Sequence, residues 1–405
     1  MIYINAYSSV SALGSDKNVI NNNLSDRDAL LLKKRYDLLL NGKSSYFGCI
    51  SKDEELNSID LSSYKKHDSY NNRVLAYCAN SLLDVISNLK EKYATDRIAV
   101  VLGTSTSGLE EVETELKSYL KDHQKHDLYM YTKQEFGDTS AFLADYLSLK
   151  GPCYTISTAC SSSARAIISG KRLIESGLAD AAIVGGVDTL CTIPVNGFNA
   201  MGVLSENRCI PFNENRSGIN IGEAAGLMIL TKEESNLFIA GTGESSDAYH
   251  ISSPEPEGTG AIEGMKMALK DAGISTDDIG YINMHGTGTR LNDSMECKAV
   301  SKLFGKDTPC SSTKYLTGHT LGAAGILEAV ILCQILEYNL NLPEQNFTLD
   351  RKDPELDECN LIQGKVKSDK KYMMSNSFAF GGNNTSIIIA KKKIIIKTNF
   401  RNKIK

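Results

Sequence analysis

The stretch Tyr154–Ile167, YTISTACSSSARAI, sets a single cysteine, Cys160, between a β-branched run and a series of very small side chains. The run reads as a strand and the small residues as the start of a helix. The thiol then faces the free N–H groups and the positive dipole end of that helix. Such a site favours the nucleophilic thiolate and predicts a lowered cysteine pKa. The dipole supplies about 0.3–1 kcal/mol, less than one pKa unit at about 1.4 kcal/mol, so a neighbouring base or cation must complete the activation. Ser161, Ser162, Ser163 and Ala164 are expected to leave room for a substrate. The competing reading is a buried cysteine in a tightly packed helix.

Six histidines narrow the choice. His67, His123 and His126 stand in polar stretches and read as surface residues, while His250 follows a loop and stays ambiguous. His285 in NMHGTGTRLND and His319 in KYLTGHTLGAAG instead lie in Gly- and Thr-rich turns at strand ends. A lone histidine is usually a structural one. Two in equivalent turns point to a shared site.

The elements that position these turns alternate as short apolar strands and helical patterns, the signature of an α/β fold with a largely parallel sheet. The second part of the chain repeats the first. FIAGTGESSDA mirrors IYINAYSSVSALG, and IGYINMHGTGT mirrors IAVVLGTST. PCSSTKYLTGHTLGAAGILEAVILCQIL likewise mirrors PCYTISTACSSSARAIISGKRLI, with His319 where Cys160 stood. This self-similarity predicts a duplicated fold. We place one half at 1–233, carrying the cysteine, and the other at 234–392, carrying both histidines. A basic tail, 393–405, reads as a disordered end. The region Leu109–Asp138 lacks clean periodicity and reads as an irregular insertion facing substrate or a subunit.

Composition excludes several classes. With a net charge of −5, the 405-residue chain offers no broad field for nucleic acid or a membrane surface. MIYINAYSSV does not resemble a signal peptide, and a cytoplasmic location is expected. Ten irregularly spaced cysteines with no CxxC pair predict neither a metal site nor a disulfide framework, and most read as small buried apolar residues.

Five motifs in order, TACSSSARA, PFNENRSGINIGEAAG, HGTGTRLND, TKYLTGHTLGAAGILEA and NSFAFGGNN, make the chain resemble the type I/II β-ketoacyl-acyl carrier protein synthases. These are condensing enzymes of the thiolase superfamily. The likeness runs from Met1 to about Lys391. It implies a thiolase-like fold of five layers, α-β-α-β-α, with two mixed sheets. It also implies a homodimer, or a heterodimer with a synthase-like subunit.

By the same resemblance, Cys160 takes an acyl group from acyl carrier protein. His285 and His319 then hydrogen-bond the thioester oxygen of malonyl carrier protein as it loses carbon dioxide, and the enolate attacks the acyl-cysteine. The N–H groups of Cys160 and Phe380 match the oxyanion hole, with Phe380 also the gate. Lys314 and Glu328 match a buried pair that fixes the His319 loop. Thr287 and Thr289 match the hydroxyls that hold the phosphopantetheine arm. No metal or organic cofactor is implied, because the pantetheine belongs to the carrier. The product is a growing fatty-acid or fatty-acid-like polyketide chain. Lys65, Lys66 and Arg73 are candidates for the acidic carrier's dock.

Departures from the family pattern stand at Ala379, expected to stiffen the gate, and at Ser217 and Asn383. Arg290 and Asn292 also depart, with Asn292 expected to keep the turn through the left-handed region. Together they hint at a specialised pathway. A degradative thiolase would need a second cysteine in SNSFAFGGNN, and a type III synthase an asparagine at His319. A chain-length factor, the non-enzyme alternative, usually lacks the cysteine. A cysteine hydrolase would need a water-activating base. GTGAIEG does not follow a strand as a nucleotide loop must.

Overall fold

The apolar runs become strands in the computed structural model, which describes residues 1–26, 28–123, 131–345, 347 and 351–392. His126 and the tail 393–405 lie outside these residues. The first half holds β1 (Ile2–Ser11), β2 (Lys33–Arg35), β3 (Ser45–Phe47), β4 (Ile98–Gly103), β5 (Cys153–Ile156), β6 (Ala181–Asp188) and β7 (Ala224–Thr231). The second holds β8 (Leu237–Ser246), β9 (Ile279–Asn283), β10 (Pro309–Ser311), β11 (Asn360–Leu361), β12 (Tyr372–Ala379) and β13 (Asn383–Lys391).

The repeat read in the sequence is a repeat of topology. The first half is ordered β5-β4-β6-β7-β1 and the second β10-β9-β12-β13-β8, with β11 added beside β10. In both halves the three strands at one end run parallel and the remaining pairs are antiparallel. The two mixed sheets meet where Ile2–Ile4 of β1 pairs with Leu237–Ile239 of β8. β2 and β3 form a separate ribbon.

Five layers follow from what each face buries. Helices Ser162–Glu175 and Ala324–Tyr338 pack on each other between the two sheets. Their core includes Ile167, Ile168, Ile326, Val330 and Ile331. Helices Tyr70–Asn80 and Phe136–Leu147 cover the outside of the first sheet. Thr259–Ala272, with Arg290–Phe304 against it, covers the second. A helix enclosed on all sides is apolar all round. That accounts for Leu321–Tyr338, which is long and apolar enough to cross a bilayer but is 89% buried in this central layer.

Close approach sets some residue choices. A Cβ on Gly103, the last residue of β4, would sit 2.3 Å from Ser163 N and 2.4 Å from Ser162 C. Gly103→Ala must therefore push the first turn behind Cys160 off the sheet. We expect it to cost about 1–3 kcal/mol and to change the alkylation rate of Cys160. Thermal melting and thiol trapping check both.

Two sequence expectations fail here. The described part of the region Leu109–Asp138 is largely regular: Leu109–Asp122 is a helix and Tyr131–Gln134 a 3₁₀ turn, while 124–130 lie outside the described residues. Leu109, Val112, Leu116 and Leu120 recur at helical spacing, hidden among charged residues. His67 is buried, not on the surface, with Nδ1 2.5 Å from Asp138 Oδ1. Asn72 also donates to Asp138, so the three pin two outer helices together. Lys66 points outward from the same 3₁₀ turn while His67 points in, which polar neighbours alone could not reveal.

Candidate active site

Cys160 follows β5 by four residues and precedes the helix Ser162–Glu175. Ala159, just before it, is held in the left-handed region at φ 52°, a strained conformation for a residue with a Cβ. Ser162 Oγ accepts from Thr158 N at 2.9 Å and donates to Ala159 O, closing the turn. Ser163 Oγ accepts from Ile326 N at 2.9 Å, tying the turn to the second half. A Cβ on Gly325 would lie 2.7 Å from Ala164 Cβ. Ser161 to Ala164 are thus fully packed. Their small size serves a tight helix crossing rather than space for a substrate.

The second half brings both histidines to the thiol. His319 Nε2 lies 3.0 Å from Cys160 Sγ. The ligand atoms of Cys160, His285 and His319 all fall within 4.8 Å of one another. The imidazoles meet edge to face with centroids 5.3 Å apart. Lys314 sits behind them, 1% exposed. Its Nζ donates to Glu328 Oε1 and to His285 O, and lies 3.3 Å from His285 Nδ1. An ammonium only donates, so Nδ1 accepts and the imidazole proton of His285 resides on Nε2. The resemblance linked Lys314 to the His319 loop, whereas these hydrogen bonds run to the His285 turn.

Burial controls the electrostatics. It pushes the Cys160 thiol up to about 11, against the pull of Lys314 and of the backbone N–H groups of Phe380 and Cys160. The lowered pKa expected at a helix start is absent, because a dipole gain of about 1 kcal/mol or less does not offset desolvation. Burial, reinforced by Lys314, holds both imidazoles well below their ordinary range, so they are neutral. The unfolded chain's histidines titrate near 6.5. The stability due to the buried pair is therefore full above about pH 6.5 and is lost as pH falls, at about 1.4 kcal/mol per pH unit for each histidine. Urea unfolding at pH 7.5 and 5.5 should show His285→Asn with a shallower acid loss than the wild type.

A cavity of about 310 Å³ leads to these groups. Thr287 and Thr289 line it, their hydroxyls 2.9 Å apart, as do Phe198 and Phe380, whose rings stand 5.9 Å apart. Exposed Leu291 marks its outer end. The departures fit without distortion. Ala379 ends β12 in register with Asn383, and the positive-φ residues of the turn are Gly381 and Gly382, so alanine sits there without strain. Asn292 lies within the helix Arg290–Phe304, not in the left-handed region. Ser217 Oγ bonds Ser205 Oγ at 2.7 Å. Lys65 and Lys66 are exposed, whereas Arg73 is engaged with Asp68 and Ile59 O.

Several supporting residues escaped sequence reasoning. Glu296 accepts from the N–H groups of His285 and Gly286, both at 2.7 Å. Asp293 accepts from Thr287, Gly288 and Phe212 N–H. Asp188 Oδ1 accepts from Thr104, Ser105 and Thr106, and Oδ2 from Ala323 N. Burial raises the carboxyl pKa of all three, Glu296 to about 8. The one available signal was a pair of acidic residues in the helix just after the HGTGT turn.

Comparison with known proteins agrees with this geometry. The N-terminal β-ketoacyl synthase domain model matches residues 15–236 and the C-terminal one residues 237–348. A 3-oxoacyl-[acyl-carrier-protein] synthase 2 of Staphylococcus aureus is 32% identical over 352 residues, covering 82% of this chain and 84% of that protein. One from Vibrio cholerae is 34% identical over 312 residues, covering 72% and 75%. A ketosynthase solved in complex with its chain length factor, from Xenorhabdus doucetiae, is 48% identical with a TM-score of 0.92, covering 96% and 98%. A β-ketoacyl synthase from Burkholderia phymatum is 26% identical with a TM-score of 0.87, covering 97% and 99%. The duplicated fold, the cysteine between two histidines and these likenesses agree: the chain belongs to the β-ketoacyl synthase family, as an acyltransferase of the β-ketoacyl-acyl carrier protein synthase type.

Proposed function

We propose that this acyltransferase works by two half-reactions on one thiol. The observation that carries the reading is the contact of Cys160 Sγ with His319 Nε2 at 3.0 Å, with His285 beside them. Sγ attacks the thioester of an acyl carrier protein. The carbonyl oxygen gains charge against the N–H groups of Phe380 and Cys160, and the pantetheine thiol leaves with the cysteine proton. Malonyl carrier protein then enters along Thr287 and Thr289. Nε2–H of His285 and of His319 hold its thioester oxygen while the bond to the carboxylate breaks. The resulting enolate attacks the acyl carbonyl and Sγ departs, which releases a β-ketoacyl carrier protein. No metal or organic cofactor takes part, and the reaction is placed in the cytoplasm.

The partner of this reaction is the acyl carrier protein. A second subunit is proposed along β5, an edge strand whose Cys153 and Tyr154 are exposed. Its identity is the second reading. The 48% likeness to a ketosynthase with its chain length factor exceeds the 32% likeness to the fatty-acid type, which favours a specialised polyketide or polyene pathway and a heterodimer.

Mass spectrometry of the group trapped on Cys160 from a ladder of acyl carrier proteins should show one preferred acyl chain. His319 touches the nucleophile, so His319→Ala should slow both half-reactions. The clean separation instead falls to His285→Ala, with malonyl decarboxylation down about 10²–10³-fold and acyl loading retained. Equal losses in both half-reactions of His285→Ala would overturn the assignment.

A further inference from the structure

Three cysteines far apart in sequence converge in the second half, away from Cys160. Cys297 lies in the helix Arg290–Phe304, Cys310 in β10, and Cys359 in the residue before β11. All three are buried. The sulfurs of Cys297 and Cys359 are 3.4 Å apart, and Cys310 also hydrogen-bonds to Cys359. The condensation uses none of them.

We propose that Cys297 and Cys359 form a peroxide-responsive dithiol that closes to a disulfide, with Cys359 the attacking thiol. The geometry gives Cys359 that role. It is 6% exposed between exposed Glu358 and Asn360, at the two-residue edge strand β11, whereas Cys297 and Cys310 are fully enclosed. A short edge strand opens locally at low cost. Hydrogen bonds shared with Cys297 and Cys310, with Lys352 nearby, also hold Cys359 below the ordinary thiol range, in favour of its thiolate.

The chemistry balances with hydrogen peroxide as the two-electron oxidant. The Cys359 sulfur attacks one peroxide oxygen; the S–O bond forms, the O–O bond breaks and one water leaves. The Cys297 sulfur attacks the sulfenic sulfur; the S–S bond forms, the S–O bond breaks and a second water carries off the remaining proton. Two thiols lose two electrons and two protons, and the peroxide becomes two waters. Closure needs the sulfurs to approach from 3.4 Å to about 2.05 Å, a movement a side-chain rotation supplies. The strain would fall beside Glu296, which holds the N–H groups of His285 and Gly286.

The full-length protein treated with stoichiometric hydrogen peroxide, alkylated and digested without reductant, tests this. The expected result is a linked peptide joining Cys297 and Cys359. It should disappear with dithiothreitol and in Cys359→Ser, and persist in Cys310→Ser. Should Cys359→Ser fail to fold, Cys297→Ala serves instead, leaving Cys359 as a sulfenic acid that dimedone captures. The proposal is overturned if Cys359 links to Cys310, if it goes to sulfinic acid while Cys297 stays alkylatable, or if both stay reduced once Cys160 is fully oxidised.

Discussion

Replacing Cys160 with alanine should abolish acyl loading and elongation, with a loss of about 10⁴-fold or more. The expectation rests on position. No other cysteine lies within reach of both histidines among the described residues. Since burial pushes this thiol up to about 11, its reactivity depends on the moment of substrate entry. In the proposed mechanism, bound acyl thioester meets a neutral thiol already against His319, and charge is handed to the N–H groups of Phe380 and Cys160 as it forms. Decarboxylation should survive in Cys160→Ala, because the Lys314–His285 contact and the packing of the two imidazoles remain. Assays of acyl transfer and of carbon dioxide release on one preparation separate the two. Elongation at the normal rate in the variant would refute the mechanism.

Lys314→Met should be the most damaging change away from the nucleophile. It leaves the buried carboxyl of Glu328 without its cation, which typically costs about 3–5 kcal/mol. It also removes the donor that keeps the His285 proton on Nε2. The two effects can be told apart. Lys314→Met combined with Glu328→Leu removes both buried charges, so melting temperature should largely recover. Malonyl decarboxylation should not recover, because His285 still lacks its donor. A double variant that regains both would reduce Lys314 to a structural role.

Much of this site could be read from the sequence because its groups are carried by short local patterns. Cys160, His285 and His319 each stand in a Gly-, Ser- or Thr-rich turn at a strand end, and the repeat placed those ends opposite each other. What stayed hidden depends on partners distant in the chain. Asp188 is held by Thr104 to Thr106 of another strand end and by Ala323 of the other half. Glu296 acts on a turn that its own helix follows. The small residues after Cys160 suggested open space because Gly325, which packs on Ala164, belongs to the other half. The thiol pKa could not be foreseen either, since desolvation depends on the whole enclosure.

The matched topology carries a consequence for the way in. Parallel strands β9, β10 and β12 end at His285, at the Lys314–His319 segment and at Phe380. Their counterparts β4, β5 and β6 end at Thr104, at Cys160 and beyond Asp188. Only β5, at the edge of the sheet, carries a reacting atom. Its two companions, neighbours in the sheet, are spent on each other, since Thr104, Ser105 and Thr106 all donate to Asp188. A scaffold of near two-fold symmetry thus has one wall knotted shut by its own hydrogen bonds. In the proposed mechanism both substrates therefore reach Cys160 one after the other through the cavity lined by Thr287, Thr289 and Phe380.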